Sequence, residues 1–188
     1  HDIYFPTYPP PYFQATGNHS AIALEYSPGN DGQDLFRRME FVGSTCTTLL
    51  VSGEEFARKL PCDDFPPKLI QAFGDAHLSF VFYVRRHDHL RESCYAESVK
   101  NYQTADISGT EFQFDYFETL RPFIEAVGVR NIILRPYNSR LWVKGRIEAD
   151  FCHAIGFPEL HGELIAPRDH VNVSLSRAHT YLLSRQKG

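Results

Sequence analysis

The chain has 188 residues, 43% of them hydrophobic and 22% charged, which is enough for one domain with a sizeable core. A net charge of −4 excludes a general electrostatic attraction to nucleic acid, so any anion site must come from local clustering of cations. The longest apolar runs, such as Phe80 to Val84, are too short to cross a bilayer.

Short apolar runs that end in polar residues predict three buried parallel strands, at 47–52, 78–84 and 131–136. Helical patterns lie between and after them, at 54–60, 66–74, 87–102, 111–127, 147–155 and 174–186. Gly128 and Gly156 are expected to end two of these helices. Strands that alternate with helices predict an α/β fold, with a mainly parallel sheet flanked by helices, in a single domain over 1–188.

The apolar spacing also predicts which helix faces are buried. For helix 111–127 the inner residues are expected to be Phe114, Phe117, Leu120, Phe123, Ile124 and Val127. For helix 174–186, Ser174 is expected to cap the helix, with Leu175, Ala178, Tyr181 and Leu182 facing inward.

Polar side chains follow all three predicted strands. They are Ser52 and Glu54, Arg85 and Arg86, and Arg135 and Tyr137. If the strands lie side by side, these groups share the sheet edge where ligands bind in open α/β folds. Arginines and a serine at one edge suit a phosphate or sulfate, because guanidinium groups bind such oxyanions through paired hydrogen bonds. Arginines at strand ends can equally pair with carboxylates in a purely structural role, and the pattern leaves both interpretations open.

Neither histidines nor cysteines are spaced as metal ligands. His87 and His89 are two residues apart, and such positions on a helix do not share a face. The four cysteines include no CxxC pair, which predicts reduced thiols in a cytoplasmic protein rather than a zinc site or disulfides.

The run Gly43 to Thr48 resembles a phosphate-binding loop only superficially. It lacks the lysine and the second glycine of that motif, so we do not interpret it as one.

The segment Tyr83-Val-Arg-Arg-His-Asp-His-Leu-Arg-Glu-Ser-Cys-Tyr95 resembles the 3′-phosphate-binding strand, turn and helix of sulfotransferases. In that family an arginine ends the strand and a serine follows eight residues later, as Arg85 and Ser93 do here, and a tyrosine follows shortly after. The closer resemblance is to bacterial sulfotransferase-like proteins encoded with surface-polysaccharide genes, which commonly have Tyr-x-Arg-Arg-Gln-Asp at this turn.

Three further stretches resemble the same proteins, in the same order. They are Val51 to Phe56, similar to Ser-Ser-Glu-x-Phe at a strand end; Ile147 to Gly156, similar to an Asp-Phe-(x)n-Gly helix; and Asn172 to Ser176, similar to a C-terminal Asn-x-Ser-Leu-Ser helix. The resemblance therefore spreads over most of the chain, and it implies the three-layer, P-loop NTPase-like architecture of sulfotransferases.

One family motif has no match in the sequence. The 5′-phosphosulfate loop, of the type Gly-x-x-Lys-(Thr/Ser)-Gly-(Thr/Ser)-Thr, lies near the N-terminus of these proteins, whereas Ile3 to Pro6 resembles the segment that follows it. The resemblance thus predicts that the sequence begins about thirty to forty residues late, which is roughly the length of a strand, loop and helix.

The resemblance implies a sulfotransferase that uses 3′-phosphoadenosine 5′-phosphosulfate as co-substrate, without a metal ion. It assigns the 3′-phosphate to Arg85 and Ser93, makes Arg86 a second contact or a structural partner of Asp88, and places Glu54 where related enzymes have a general base. Glu54 can equally have a structural role, because a carboxylate in the first turn of a helix is stabilised by the partial positive charge at the helix N-terminus. The implied acceptor is a hydroxyl of a glycan or a small molecule. We expect neither a nucleic-acid partner nor a membrane span. The alternatives are a P-loop nucleotide kinase, a sugar-nucleotide glycosyltransferase and a non-catalytic fragment of such a fold.

Overall fold

The structure is a computed structural model that describes residues 3–4, 48–53, 66–67, 70–71, 77–102, 114–162 and 177–185. Glu54, Ser174 and the helix predicted at 54–60 lie outside these residues. The chain divides into two compact units, which are residues 1–79 with 116–131, and residues 80–115 with 132–188. The expectation of a single domain stays a prediction.

Among its described residues, the first unit contains a short parallel strand pair and two α-helical segments. Strand β1 (Ile3–Tyr4) pairs with β2 (Thr48–Leu49), so β2 confirms part of the strand predicted at 47–52, whereas β1 was not predicted. Pro66, Pro67, Ile70 and Gln71 are helical, in agreement with the helix predicted to begin at the two prolines.

A longer helix in the same unit ends at a glycine, as predicted. It begins at Tyr116, five residues after the predicted start at Glu111, and ends at Val127, before Gly128 with φ of +81°. Of its predicted inner face, Leu120 and Phe123 are buried, but Phe117 is 65% exposed, so its predicted burial was wrong. Phe117 lies at the margin of the apolar stripe, where spacing alone cannot decide whether a neighbour covers the side chain.

The second unit is built on the parallel strands β3 (Phe80–Val84) and β4 (Ile132–Pro136). They pair from Phe80 with Ile132 through Val84 with Pro136, so both strands end at the same edge. This pair confirms two of the predicted strands and their parallel direction. The expected full burial was wrong, since β3 is half-buried along its length and Leu134 of β4 is 51% exposed.

Three of the longer described α-helices belong to the second unit. We number these longer described helices in chain order as α1 (His87–Tyr102), α2 (Tyr116–Val127, of the first unit), α3 (Ile147–Ala154) and α4 (Arg177–Arg185). Helix α1 has the bounds that the sequence predicts, with Val99 buried, and α3 is closed by Gly156 at φ of +85°, also as predicted. The described helices and strands thus show a mixed α/β chain whose strand pairs are parallel.

The predicted inner face of α4 was wrong. Helix α4 contacts α1, yet Tyr181 and Leu182 are 57% and 58% exposed and Ala178 is also exposed, whereas Thr180 is buried. A threonine can be buried when its hydroxyl forms a hydrogen bond, so the most apolar face of a short helix need not be the face that packs.

Candidate functional site

The corner between β3 and α1 carries the two arginines that the sequence singles out. β3 ends at Val84 and α1 begins at His87, so Arg85 and Arg86 are the whole connection between them. The backbone N–H of Leu90 donates to the Arg86 carbonyl at 2.8 Å, which makes Arg86 the residue that caps the helix. Ser93 lies about two turns into α1 and is half-buried.

Arg85 is held against an aromatic ring. Its guanidinium carbon lies 4.2 Å from the ring centroid of Tyr137, and the side chain is half-buried. Tyr137 directly follows β4, as Arg85 directly follows β3, and its backbone N–H donates to the Val84 carbonyl at 2.7 Å. The structure therefore brings together two of the strand-end residues that the sequence picks out.

Arg86 is engaged by a neighbouring carboxylate. Its Nε and Nη2 atoms donate to Oδ1 and Oδ2 of Asp88 at 3.1 and 2.7 Å, and 75% of the arginine side chain is exposed. Of the two roles that the sequence leaves open for Arg86, pairing with Asp88 is the one seen in the structure. The phosphate contact predicted for Arg86 stays a prediction.

Arg135 is part of a buried network that the sequence analysis missed. Its Nε donates to Oδ2 of Asp150 at 2.9 Å and its Nη2 donates to Oδ1, so the two side chains form a paired, charge-assisted contact. The Tyr83 hydroxyl donates to Oδ2 at 2.9 Å and the backbone N–H of Val143 donates to Oδ1 at 3.2 Å. Asp150 is fully buried, so the strand-end anion contact envisaged for Arg135 is replaced by an internal ion pair.

The electrostatics of this network follow from its hydrogen bonds. The bond from Arg135, helped by those from Tyr83 and Val143, lowers the pKa of Asp150 from 3.8 to about 2. Burial, and then the bond to Asp150, raises the pKa of Tyr83 above its ordinary value. Both residues therefore keep one protonation state near neutral pH, which suits a fixed structural anchor better than proton transfer.

One sequence signal could have revealed Asp150. It lies in α3 between two buried residues of the same helix, Ala149 and Cys152, and a carboxylate on such a face must find a cationic or hydrogen-bonding partner. The pattern of residues 147–155 predicts the helix itself but not the cation that neutralises Asp150.

The segment after β4 connects the two sets of contacts. The indole N–H of Trp142 donates to the Pro136 carbonyl at 2.9 Å, and the Trp142 ring stands edge-on to Tyr137 with centroids 5.3 Å apart. The next residue, Val143, is the one bonded to Asp150. Residues 137–143 are thus fixed at both ends, by the sheet edge and by α3.

The other predicted site residues are Ser52 and Glu54, and Glu54 lies outside the described residues. Ser52 is exposed and belongs to the first unit. Within the described ranges, no group of three or more His, Cys, Asp or Glu side chains is placed to hold a metal ion, and Cys94 and Cys152 carry thiols rather than a disulfide. None of the described helices combines the length and apolar character that a membrane span needs.

A scan against protein-family models, a search of curated proteins and a search of solved structures each find no match for this chain.

Proposed function

We propose that this chain is a sulfotransferase that transfers sulfuryl from 3′-phosphoadenosine 5′-phosphosulfate to a hydroxyl of a carbohydrate or related acceptor. The proposal places the enzyme in the cytoplasm, where its thiols would stay reduced. The observation that carries it is the position of Arg85, a half-buried cation at the common end of two parallel strands and two residues before the start of a helix.

This corner favours an anion for two physical reasons. The first amides of a helix point outward with unpaired N–H groups and a partial positive charge, and α1 begins two residues after Arg85. The guanidinium adds a full charge and in-plane N–H donors, which suit the oxygens of a phosphate. A cation–π contact with Tyr137 orients this guanidinium group.

In the proposed site, Arg85 and Ser93 bind the 3′-phosphate of the donor. This phosphate is absent from ATP, so its recognition would separate the two nucleotides. Arg86 would give a second contact only by leaving Asp88, with which it forms two hydrogen bonds. We therefore expect Arg86 to contribute less to binding than Arg85.

The chemical step needs an acceptor oxygen in line with the bond that breaks. That oxygen attacks sulfur, the bond between sulfur and the 5′-phosphate oxygen breaks, and the proton of the acceptor passes to a carboxylate, for which we propose Glu54. The products are a sulfate ester and 3′-phosphoadenosine 5′-phosphate. Positioning and charge stabilisation account for most of the catalysis of such group transfers, and this scheme uses no metal ion.

Calorimetry with 3′-phosphoadenosine 5′-phosphate tests the proposal on the full-length protein. We expect binding, and we expect Arg85→Ala to weaken it by about fiftyfold, the loss typical of a hydrogen-bonded charge pair. Arg91→Ala is the matched control, because Arg91 is an exposed arginine of α1, the helix that follows Arg85, and the affinity of this variant should be unchanged. Unchanged affinity in Arg85→Ala would refute the site, and binding of magnesium–ATP in place of the 3′-phosphorylated nucleotide would favour a kinase.

A further inference from the structure

We infer that Tyr137 is a positioning residue for the 3′-phosphate site, which holds the Arg85 guanidinium ready for an oxyanion before the ligand arrives. The inference rests on the proposed function for the identity of the ligand. It adds a residue to which neither the sequence pattern nor the resemblance gives a role in donor binding.

The placement of Tyr137 follows from the strand register. Val84 and Pro136 are the last partners of β3 and β4, so Arg85 and Tyr137 are the next residues at the same edge. The hydrogen bond from the Tyr137 N–H to the Val84 carbonyl extends the pairing of β3 with β4 by one residue beyond the end of β4. Arg85 and Tyr137 are therefore neighbours by backbone geometry as well as by their side-chain contact of 4.2 Å.

The ring of Tyr137 is itself held in place. Trp142 stands edge-on to it, at an interplanar angle of 83°, and the Trp142 indole is tied to the Pro136 carbonyl. An edge-to-face pair of this kind fixes ring orientation. Tyr137 is still 42% exposed, so its side chain can be changed without opening a buried cavity.

The anchor of this arrangement is the buried ion pair. Arg135, the residue two before Tyr137, binds Asp150 on α3, and Asp150 accepts a bond from Val143, the residue after Trp142. The segment that carries Tyr137 and Trp142 is thereby attached to α3 at one end and to β4 at the other. The buried ion pair thus has a role in this arrangement, since it fixes the segment that carries Tyr137, over whose ring Arg85 lies.

The orientation of Arg85 should raise the affinity of the site for a phosphate. A long arginine side chain loses rotamer freedom when it binds a phosphate, and a side chain that is already ordered loses less. Immobilising a rotamer-rich side chain typically lowers affinity by about two- to tenfold, so we expect Tyr137→Leu, which removes the ring that orders Arg85, to weaken binding by up to about tenfold. Tyr137→Phe keeps the ring face and should bind nearly as the natural protein does.

The test compares two nucleotides by calorimetry on the full-length protein. One is 3′-phosphoadenosine 5′-phosphate, and the other is adenosine 5′-monophosphate, which lacks the 3′-phosphate that Arg85 would bind. Tyr137→Leu should lose up to about tenfold in affinity for the first and nothing for the second, because it acts only through Arg85. A structural role would lower affinity for both nucleotides together with the thermal midpoint, and that result would overturn the inference.

Two other outcomes separate this inference from the proposed function. If Arg85→Ala weakens binding and Tyr137→Leu does not, Tyr137 has no positioning role and the proposed function stands. If the natural protein fails to bind 3′-phosphoadenosine 5′-phosphate at all, the proposed function is refuted, and the inference about its 3′-phosphate site falls with it.

Discussion

Substituting Asp150 by asparagine should destabilise the protein more than most single changes can. Asp150 is fully buried and is bonded to Arg135, Tyr83 and Val143. Asparagine has nearly the same shape, but it has no charge, and it presents an NH₂ donor where the carboxylate had only acceptors. One of the donors that converge on Asp150 would therefore lose its acceptor.

The size of the effect depends on what happens to Arg135. Its side chain is 27% exposed, so a guanidinium without its carboxylate is only partly solvated by water. Removing one partner of a buried ion pair typically costs 3–5 kcal/mol, and the partial exposure of Arg135 places this case near the lower limit, at about 3 kcal/mol. With a urea m-value of about 2 kcal/mol per molar, the unfolding midpoint should fall by about 1.5 M.

Urea unfolding followed by far-ultraviolet circular dichroism measures this difference. Asp88→Asn is the matched control, because it also removes a carboxylate bonded to an arginine, but one at an exposed site where ion pairs contribute little. Its midpoint should match that of the natural protein. If the two variants unfold at the same urea concentration, the Asp150 network is not the anchor that we describe.

Two further predictions concern the same unit. Because the pKa of Asp150 falls from 3.8 to about 2 on folding, its charge stabilises the folded state above about pH 4, and about 2 kcal/mol of that stabilisation is lost between about pH 4 and pH 2. The thermal midpoint of the natural protein should therefore approach that of Asp150→Asn as the pH falls over this range. A difference between the two midpoints that stays constant with pH would contradict the assignment. Gly156→Ala should lower the free energy of unfolding by about 1–2 kcal/mol, because φ at this helix end is +85° and an added methyl group strains the backbone even though the space around it is open. Gly162→Ala changes an equally open position without positive φ, so this control should unfold at the midpoint of the natural protein. Equal losses of stability in the two variants would contradict the role of the positive φ.

Local signals predicted the helices of the second unit well. The bounds of α1 follow from an apolar run that gives way to charged residues, and the end of α3 follows from a glycine that adopts a conformation costly for other residues. These features are written within a few neighbouring residues. A sequence pattern can therefore predict them without knowledge of what the helix contacts.

Burial could not be predicted in the same way. Phe117 and Leu182 belong to good apolar stripes and are largely exposed, whereas Thr180 is buried. Spacing defines which residues share a helix face, but the neighbouring elements decide which face is covered. The bond between Arg135 and Asp150 joins a strand to a later helix, so it too depends on packing that no single stretch of sequence encodes.

The three arginines at the strand ends show how much the surroundings decide. Arg135 is neutralised by a buried carboxylate from a later helix, and Arg86 pairs with an exposed carboxylate two residues along the chain. Arg85 lies over the ring of Tyr137, with its guanidinium carbon 4.2 Å from the ring centroid. The same sequence signal therefore leads to an internal anchor, a surface pair and a candidate anion contact. The anchor and the contact depend on each other, because the Arg135–Asp150 pair fixes the segment that carries the ring beneath Arg85. A phosphate site at this corner is thus expected to respond to changes at Asp150, which touches no ligand, as well as to changes at Arg85.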